Sequence, residues 1–342
     1  MGDARKFVGL DVGGTTMKAA VVDGDGRAAP AVSLPTRPEL GQDAGLATMA
    51  EAIRRAAAAA GVALADVAAI GVATPGMMDL ERGLILDPPN LKPWHNLEVP
   101  RHISAAFGGK PVAFQNDANA AALGEFWVGA GREFSSMVLF TLGTGIGGGI
   151  ILGGKVVEGE HSHGGEVGHL RIELPDRGRL CGCGRRGCLE AYASATAVVA
   201  RTREALDNSV TPSGLRPLMH ADGGRGLTAE AVFAAAAAGD AVAQKVVADT
   251  AYYLGLGASA LIAVVDPEAV VFAGGMVAAG APFLDAIRAN VQQYALSYPA
   301  EKVQIRYATL GSDAGFIGAA ACAKALADTP GDTLGDTPAD AG

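Results

Sequence analysis

Two stretches of this chain repeat one pattern, and the repeat limits the fold more than any other feature. "VGLDVGGTTMKAAVV" (residues 8–22) and "VLFTLGTGIGGGIIL" (138–152) superpose at a constant offset of 130 positions, with Gly13 falling on Gly143. Each reads as a β-rich apolar run, a glycine turn and a second apolar run, which is the signature of a hairpin. A chain that offers such a hairpin twice suits a fold of two related halves. Glycine turns are common, so the repeat alone fits either a shared ligand or two plain hairpins.

The chain has 342 residues, room for a sizeable core and for two lobes. Its net charge of -9 leaves no basic surplus for phosphodiester backbones, so no nucleic-acid partner is expected. A small anion remains open, because backbone amides can hold phosphate locally. The N-terminus has no long apolar core of the secretory kind. The apolar run at 251–265 stops short of the ~20 residues a membrane span needs. The expectation is a cytoplasmic chain with no membrane partner and with reduced thiols.

Periodicity predicts helices at 44–60, 228–238, 240–264, 282–294 and 314–327, and a strand within 268–276. "KPVAFQNDANAAALGE" reads as a strand entering a helix, with Asn116 and Asp117 at the junction. The acidic, Pro- and Thr-rich tail at 328–342 reads as unstructured.

Three groups of residues carry chemistry. The turns supply Gly13, Gly14, Thr15 and Thr16 on one side and Gly143, Thr144 and Gly145 on the other. Their amides could form concave anion sites, and Asp11 could hold an accompanying Mg2+ through water. Asp117 is either a plain helix cap or a general base taking the proton of an attacking sugar hydroxyl, with Asn116 orienting that substrate. Finally, three of the four cysteines, Cys181, Cys183 and Cys188, fall within eight positions, downstream of His169. Three thiolates and an imidazole make a closed structural Zn2+ set, although His161 and His163 also lie near. Cys322, alone in the last helix, reads as a buried apolar residue.

The motifs "DVGGTT", "NDANAAALGE", "TLGTGIGGGI", "GGEVGH" and "CGCGRRGCLE" occur in an order that resembles the ROK family (repressor, open reading frame, kinase) of bacterial sugar kinases, over about residues 7–327. The resemblance implies an α/β, two-lobed actin-like (RNase H-like) ATPase fold with a ligand cleft between lobes. It implies a small lobe at 1–117 joined by the C-terminal helix at about 312–327, and a large lobe with the zinc loop at 118–311. It further implies phosphorylation of a hexose at the 6-hydroxyl by ATP with Mg2+, and a homodimer or homotetramer. Asp117 would be the base. Gly76, Asn90, Asn116, Glu166, His169 and Glu190 would bind sugar, with His169 also on zinc. Gly274 and Gly275 would lie on the adenosine side.

"DPPNLKPWHN" and "NDANAAALGEFWVGAG" resemble glucose-acting members most. Mannose, fructose, allose and the N-acetylated hexosamines remain alternatives, as does polyphosphate in place of ATP. A sugar-responsive repressor would need a helix-turn-helix ahead of the first strand, which begins near Phe7. A non-catalytic binder would have no use for Asp117 together with two phosphate turns.

Overall fold

A computed structural model describes residues 2–88 and 90–329. Residues 330–342 of the tail read as unstructured lie outside the described residues, as does Pro89. The chain forms two compact units, one running to Trp127 and resuming at Asp313, the other Val128–Ser312.

The first unit begins with β1 (Lys6–Val12), β2 (Thr16–Asp23), β3 (Val32–Pro35), α1 (Gln42–Ala59) and β4 (Val67–Thr74). It continues with β5 (Met77–Asp79), β6 (Leu84–Asp87), β7 (Leu97–Glu98), α2 (Val99–Ala106), β8 (Val112–Asn116) and α3 (Asp117–Val128). The main sheet has the order β3-β2-β1-β4-β8, and β5–β7 form a small sheet of their own. Strands β1 and β4 are almost wholly buried, as suits the inner parallel strands of a covered sheet. Leu10, Met17 and Ile70 from the sheet, Met49 and Ile53 from α1, and Trp94 make its core.

The second unit holds β9 (Met137–Leu142), β10 (Ile146–Leu152), β11 (Lys155–Val156), α4 (Glu190–Ala193), α5 (Ala195–Asp207), α6 (Ala229–Ala237) and α7 (Ala241–Val265). After them come β12 (Ala269–Ala273), α8 (Ala281–Tyr294), α9 (Ser297–Lys302) and β13 (Gln304–Tyr307). Its sheet order is β11-β10-β9-β12-β13. Both sheets therefore share one plan: an antiparallel hairpin whose first strand starts a parallel run of three. The stacked rings of Phe140 and Phe272, 5.2 Å apart, join β9 to β12 inside the core.

The two hairpins differ by one residue. Val12 pairs with Met17, whereas Leu142 pairs with Ile146, so the second turn is one residue shorter. The constant offset thus describes the first strand of each hairpin and slips in the second.

Helix α7 is 25 residues long and, by length and composition, could cross a membrane, which the apolar run inside it is too short to do. It buries Val246, Leu254 and Leu261 in the unit's core. Lys245 and Asp249 pair along its surface. The last helix, α10 (Ala314–Asp328), belongs to the first unit and lies against β1, β4 and β8. Cys322 on it is half-buried rather than buried, because only one face of α10 meets the sheet.

Candidate active site

In the first unit the chemistry gathers at the carboxyl ends of β1 and β8. Asp11 stands opposite Lys18 in the β1–β2 ladder. The ammonium of Lys18 donates to Asp313 Oδ1 at 2.5 Å. Gly315, in the first turn of α10, leaves room for Asp11, since a Cβ there would sit 2.3 Å from Asp11 Oδ2. Burial pushes the Asp11 carboxyl up to about 7, the charge of Asp117 adds to this, and Lys18 opposes it. Two carboxylates that repel one another in a partly desolvated place are a hard oxygen donor set suited to Mg2+, whose charge would relieve the repulsion.

Asp117 opens α3, and its Oδ1 accepts the Ala118 N–H at 2.8 Å. Asn116 Oδ1 accepts the N–H groups of Ala118 (2.9 Å) and Asn119 (3.2 Å). Capping the helix, a role weighed above for Asp117, is therefore done largely by Asn116. Nearby, the backbone and Cβ of Asn90 lie over Gly14, 3.1 and 3.2 Å from where a Cβ would be. Gly76, at φ +100°, packs on Pro88, two residues before Asn90. Gly14, Gly76 and Asn90, far apart in sequence, are thus linked by packing.

In the second unit the turn at 143–145 is closed by the Gly143 N–H donating to Gly145 O at 3.0 Å. Gly274 sits on the end of β9, where a Cβ would meet Leu142 O at 2.4 Å. The turn after β12, with Gly275, is thereby brought beside the β9–β10 turn. The short 3-10 turn Val167–His169 packs on the start of β10, with Gly168 against the Ile146 carbonyl. Glu166 precedes it and is exposed.

His169, Cys181, Cys183 and Cys188 place one ligand atom each within 4.8 Å of all the others. Cys183 Sγ and Cys188 Sγ are 3.8 Å apart, and Cys181 Sγ is 3.8 Å from His169 Nδ1. A tetrahedral zinc with ordinary Zn–S and Zn–N bonds requires edges of about 3.8 Å and about 3.6 Å, so the residues fit the ion. Burial, and after it the Cys183 thiol and Glu190, push the Cys181 thiol up, a penalty that a bound cation removes. His161 and His163 stand apart from this group and contact each other. Glu190 opens α4. Its Oε2 accepts the Ile146 N–H at 3.0 Å and its Oε1 lies 3.3 Å from Cys181 Sγ, so one carboxylate touches both the cluster and the glycine hairpin.

A model of the ROK family matches residues 7–326. The chain belongs to the ROK family. The glucokinase of Halalkalibacterium halodurans is 37% identical over 314 residues, covering 92% of this chain and 93% of the relative. Among solved structures, the ROK hexokinase from Thermus thermophilus has a TM-score of 0.80 at 37% identity, covering 94% of this chain and 99% of that one. A ROK family glucokinase from Streptomyces griseus, solved in complex with glucose and AMPPNP, has a TM-score of 0.77 at 34% identity over the same shares. The duplicated sheets are accordingly those of the two-lobed actin-like fold of ROK sugar kinases.

Proposed function

We propose that this ROK chain is an ATP-dependent hexose kinase that phosphorylates glucose at the 6-hydroxyl. The observation that carries the reading is Asp117, held at the strand-to-helix junction of β8 and α3, with its charge felt by Asp11 on the next strand but one. In the reaction, the Asp117 carboxylate takes the proton of the 6-hydroxyl as its oxygen attacks the γ-phosphorus. The bond from that phosphorus to the β,γ-bridging oxygen breaks and ADP leaves. Asn116, its Oδ1 engaged in the cap, offers its amide nitrogen to the sugar. Gly76 and Asn90 shape the sugar's surroundings, and Glu166, His169 and Glu190 supply ligands.

The turns at 13–16 and 143–145, with Gly274 and Gly275, bind the nucleotide. Asp11 holds Mg2+, which supplies charge neutralisation for the phosphates. His169 Nδ1 and the three cysteine sulfurs hold zinc as a structural ion, which leaves Nε2 of the same ring for a sugar hydroxyl. The reduced thiols that zinc needs suit the cytoplasm. Assembly as a homodimer or homotetramer is open to light scattering.

A coupled ADP-release assay with glucose, mannose, fructose, N-acetylglucosamine and N-acetylmannosamine tests the reading. Highest kcat/KM for glucose is expected, and a preference for an acetylated sugar would replace the substrate while keeping the mechanism. Asp117→Asn is expected to lower kcat by about 10²–10⁴-fold, the usual share of a general base, with sugar affinity little changed. Near-normal turnover would remove Asp117 from the role.

A further inference from the structure

Each glycine turn is gripped from behind by a threonine of its own unit. In the first unit Thr36, buried and just beyond β3, donates its Oγ1–H to Gly13 O (2.6 Å) and its N–H to Thr15 O (2.9 Å). In the second, the start of α5 does the same work. The Ala195 N–H donates to Gly143 O (2.9 Å) and Thr196 Oγ1–H to Thr144 O (2.8 Å). The Glu190 carboxylate takes the Ile146 N–H on the far side of the turn.

Fixing a carbonyl also fixes an amide. A trans peptide unit is planar, with C=O and N–H pointing in opposite directions. Bonds to the carbonyls of Gly143 and Thr144 therefore turn the N–H groups of Thr144 and Gly145 away from α5. Those two N–H groups have no protein partner among the described residues. The bond from Thr36 to Gly13 O aims the Gly14 N–H in the same manner. Adjacent amides aimed together without a protein acceptor form an anion-binding concavity. The grip explains their alignment, which glycine-rich sequence by itself leaves free.

We propose that Thr36 and Thr196, with the Ala195 amide, are positioning residues that pre-set the two turns for the phosphates of the nucleotide. The proposal rests on the kinase reading above, in that it takes the turns' ligand to be a nucleoside triphosphate. It adds residues that no glycine motif contains. The second grip begins at Ala195, seven positions after Cys188, and the Leu189 N–H donates to Leu170 O beside His169, so the cysteine loop adjoins the segment that holds the turn.

Thr196→Val keeps the shape and deletes one donor. Ala195→Pro deletes the other at the first position of a helix, where proline's fixed φ is accepted, and Ser194 before it is already extended at ψ 163°. Equilibrium binding of a non-hydrolysable ATP analogue, in Mg2+ and without sugar, is the first readout. Each variant is expected to bind about three- to tenfold more weakly, the effect of losing one net hydrogen bond. KM for ATP should rise by a similar factor with KM for glucose unchanged, and Thr196→Ser should restore both. Thr36→Val should act alike on the first turn, and because Thr36 is buried, the Thr196 and Ala195 variants carry the test if it fails to fold. Unchanged analogue affinity in both second-unit variants overturns the proposal while the kinase reading stands. Equal rises in KM for ATP and for glucose would also overturn it, since that reports general loosening. A wild-type protein that binds no analogue would remove the phosphate reading and the grips' role with it.

Discussion

Glycines do different jobs in this chain, and their surroundings separate them. At Gly145 a Cβ would strike Glu190 Oε2 at 2.4 Å, so an added methyl would displace the carboxylate that takes the Ile146 N–H. At Gly143 and Gly275 a Cβ would meet nothing within 4 Å, and neither has a positive φ. Neither backbone nor packing demands glycine there, which leaves both positions open for the close approach of a ligand. Gly143→Ala should therefore leave the thermal midpoint within about 2 °C of wild type and weaken ATP-analogue binding tenfold or more, read by calorimetry of both events. Asp11 gives a second residue-scale prediction. Its folded pKa of about 7 exceeds the unfolded value, so between about pH 4 and 7 the folded state holds a proton that the unfolded state has released. This contribution favours the ligand-free protein below pH 4 and is lost as pH rises through 7. Asp11→Asn should thus gain on wild type by about 1–3 kcal/mol between pH 4.5 and 8 in urea unfolding without Mg2+. A constant difference across that range would mean Asp11 titrates normally. The sequence located Asp11 and both turns, but it could not tell which glycines are packed and which face open space. That distinction comes from residues more than forty positions away.

Caps and periodicity made most helices readable. Thr228 and Asp240, taken as the starts of two helices, are the residues whose side chains cap α6 and α7. The three-stranded sheet of β5–β7 went unread, because strands of two to four residues show no alternation to detect. The one-residue shortening of the second hairpin was hidden as well, since a run of glycines gives no side-chain pattern to fix register. Asp240 carries a testable consequence. Burial raises its carboxyl, but the Ser213 hydroxyl and the amides of Ala243, Gly214 and Val242 outweigh that and hold it below the usual carboxylate range. Asp240→Ala should cost about 1 kcal/mol at pH 7, and the cost should shrink as pH falls through and below about 4, where the wild-type carboxylate is itself protonated. The Cys3His group, whose spacing fits zinc, carries a local prediction as well. Cys183→Ser should abolish stoichiometric zinc, measured by metal analysis, and weaken glucose binding. Full zinc retention would mean the four residues do not share an ion.

At the scale of the molecule, the C-terminal helix completes a sheet laid down near the N-terminus. The small residues of "DAGFIGAAACAKA" read as a surface for close packing, and α10 lies almost on the backbone it covers. A Cβ on Gly318 would fall 1.6 Å from Ala120 O in α3, and one on Gly71 would fall 1.8 Å from Ala319 O. Both obstacles are backbone carbonyls, so no rotamer change relieves them and a helix or strand must shift. This packing also sets Asp11 and Asp117, because the same helix passes β1, which carries Asp11, and β8 with α3, at whose junction Asp117 stands. Gly318→Ala is therefore expected to cost at least about 1–3 kcal/mol and lower the thermal midpoint by several degrees. Zinc content should stay unchanged, since His169 and the three cysteines belong to the other unit. It is the opposite of Gly143→Ala, where the same added methyl group leaves stability alone and takes away the ligand. If Gly318→Ala melted with wild type while keeping kcat, α10 would have room that this packing does not show, and the placement of both carboxylates would need another cause.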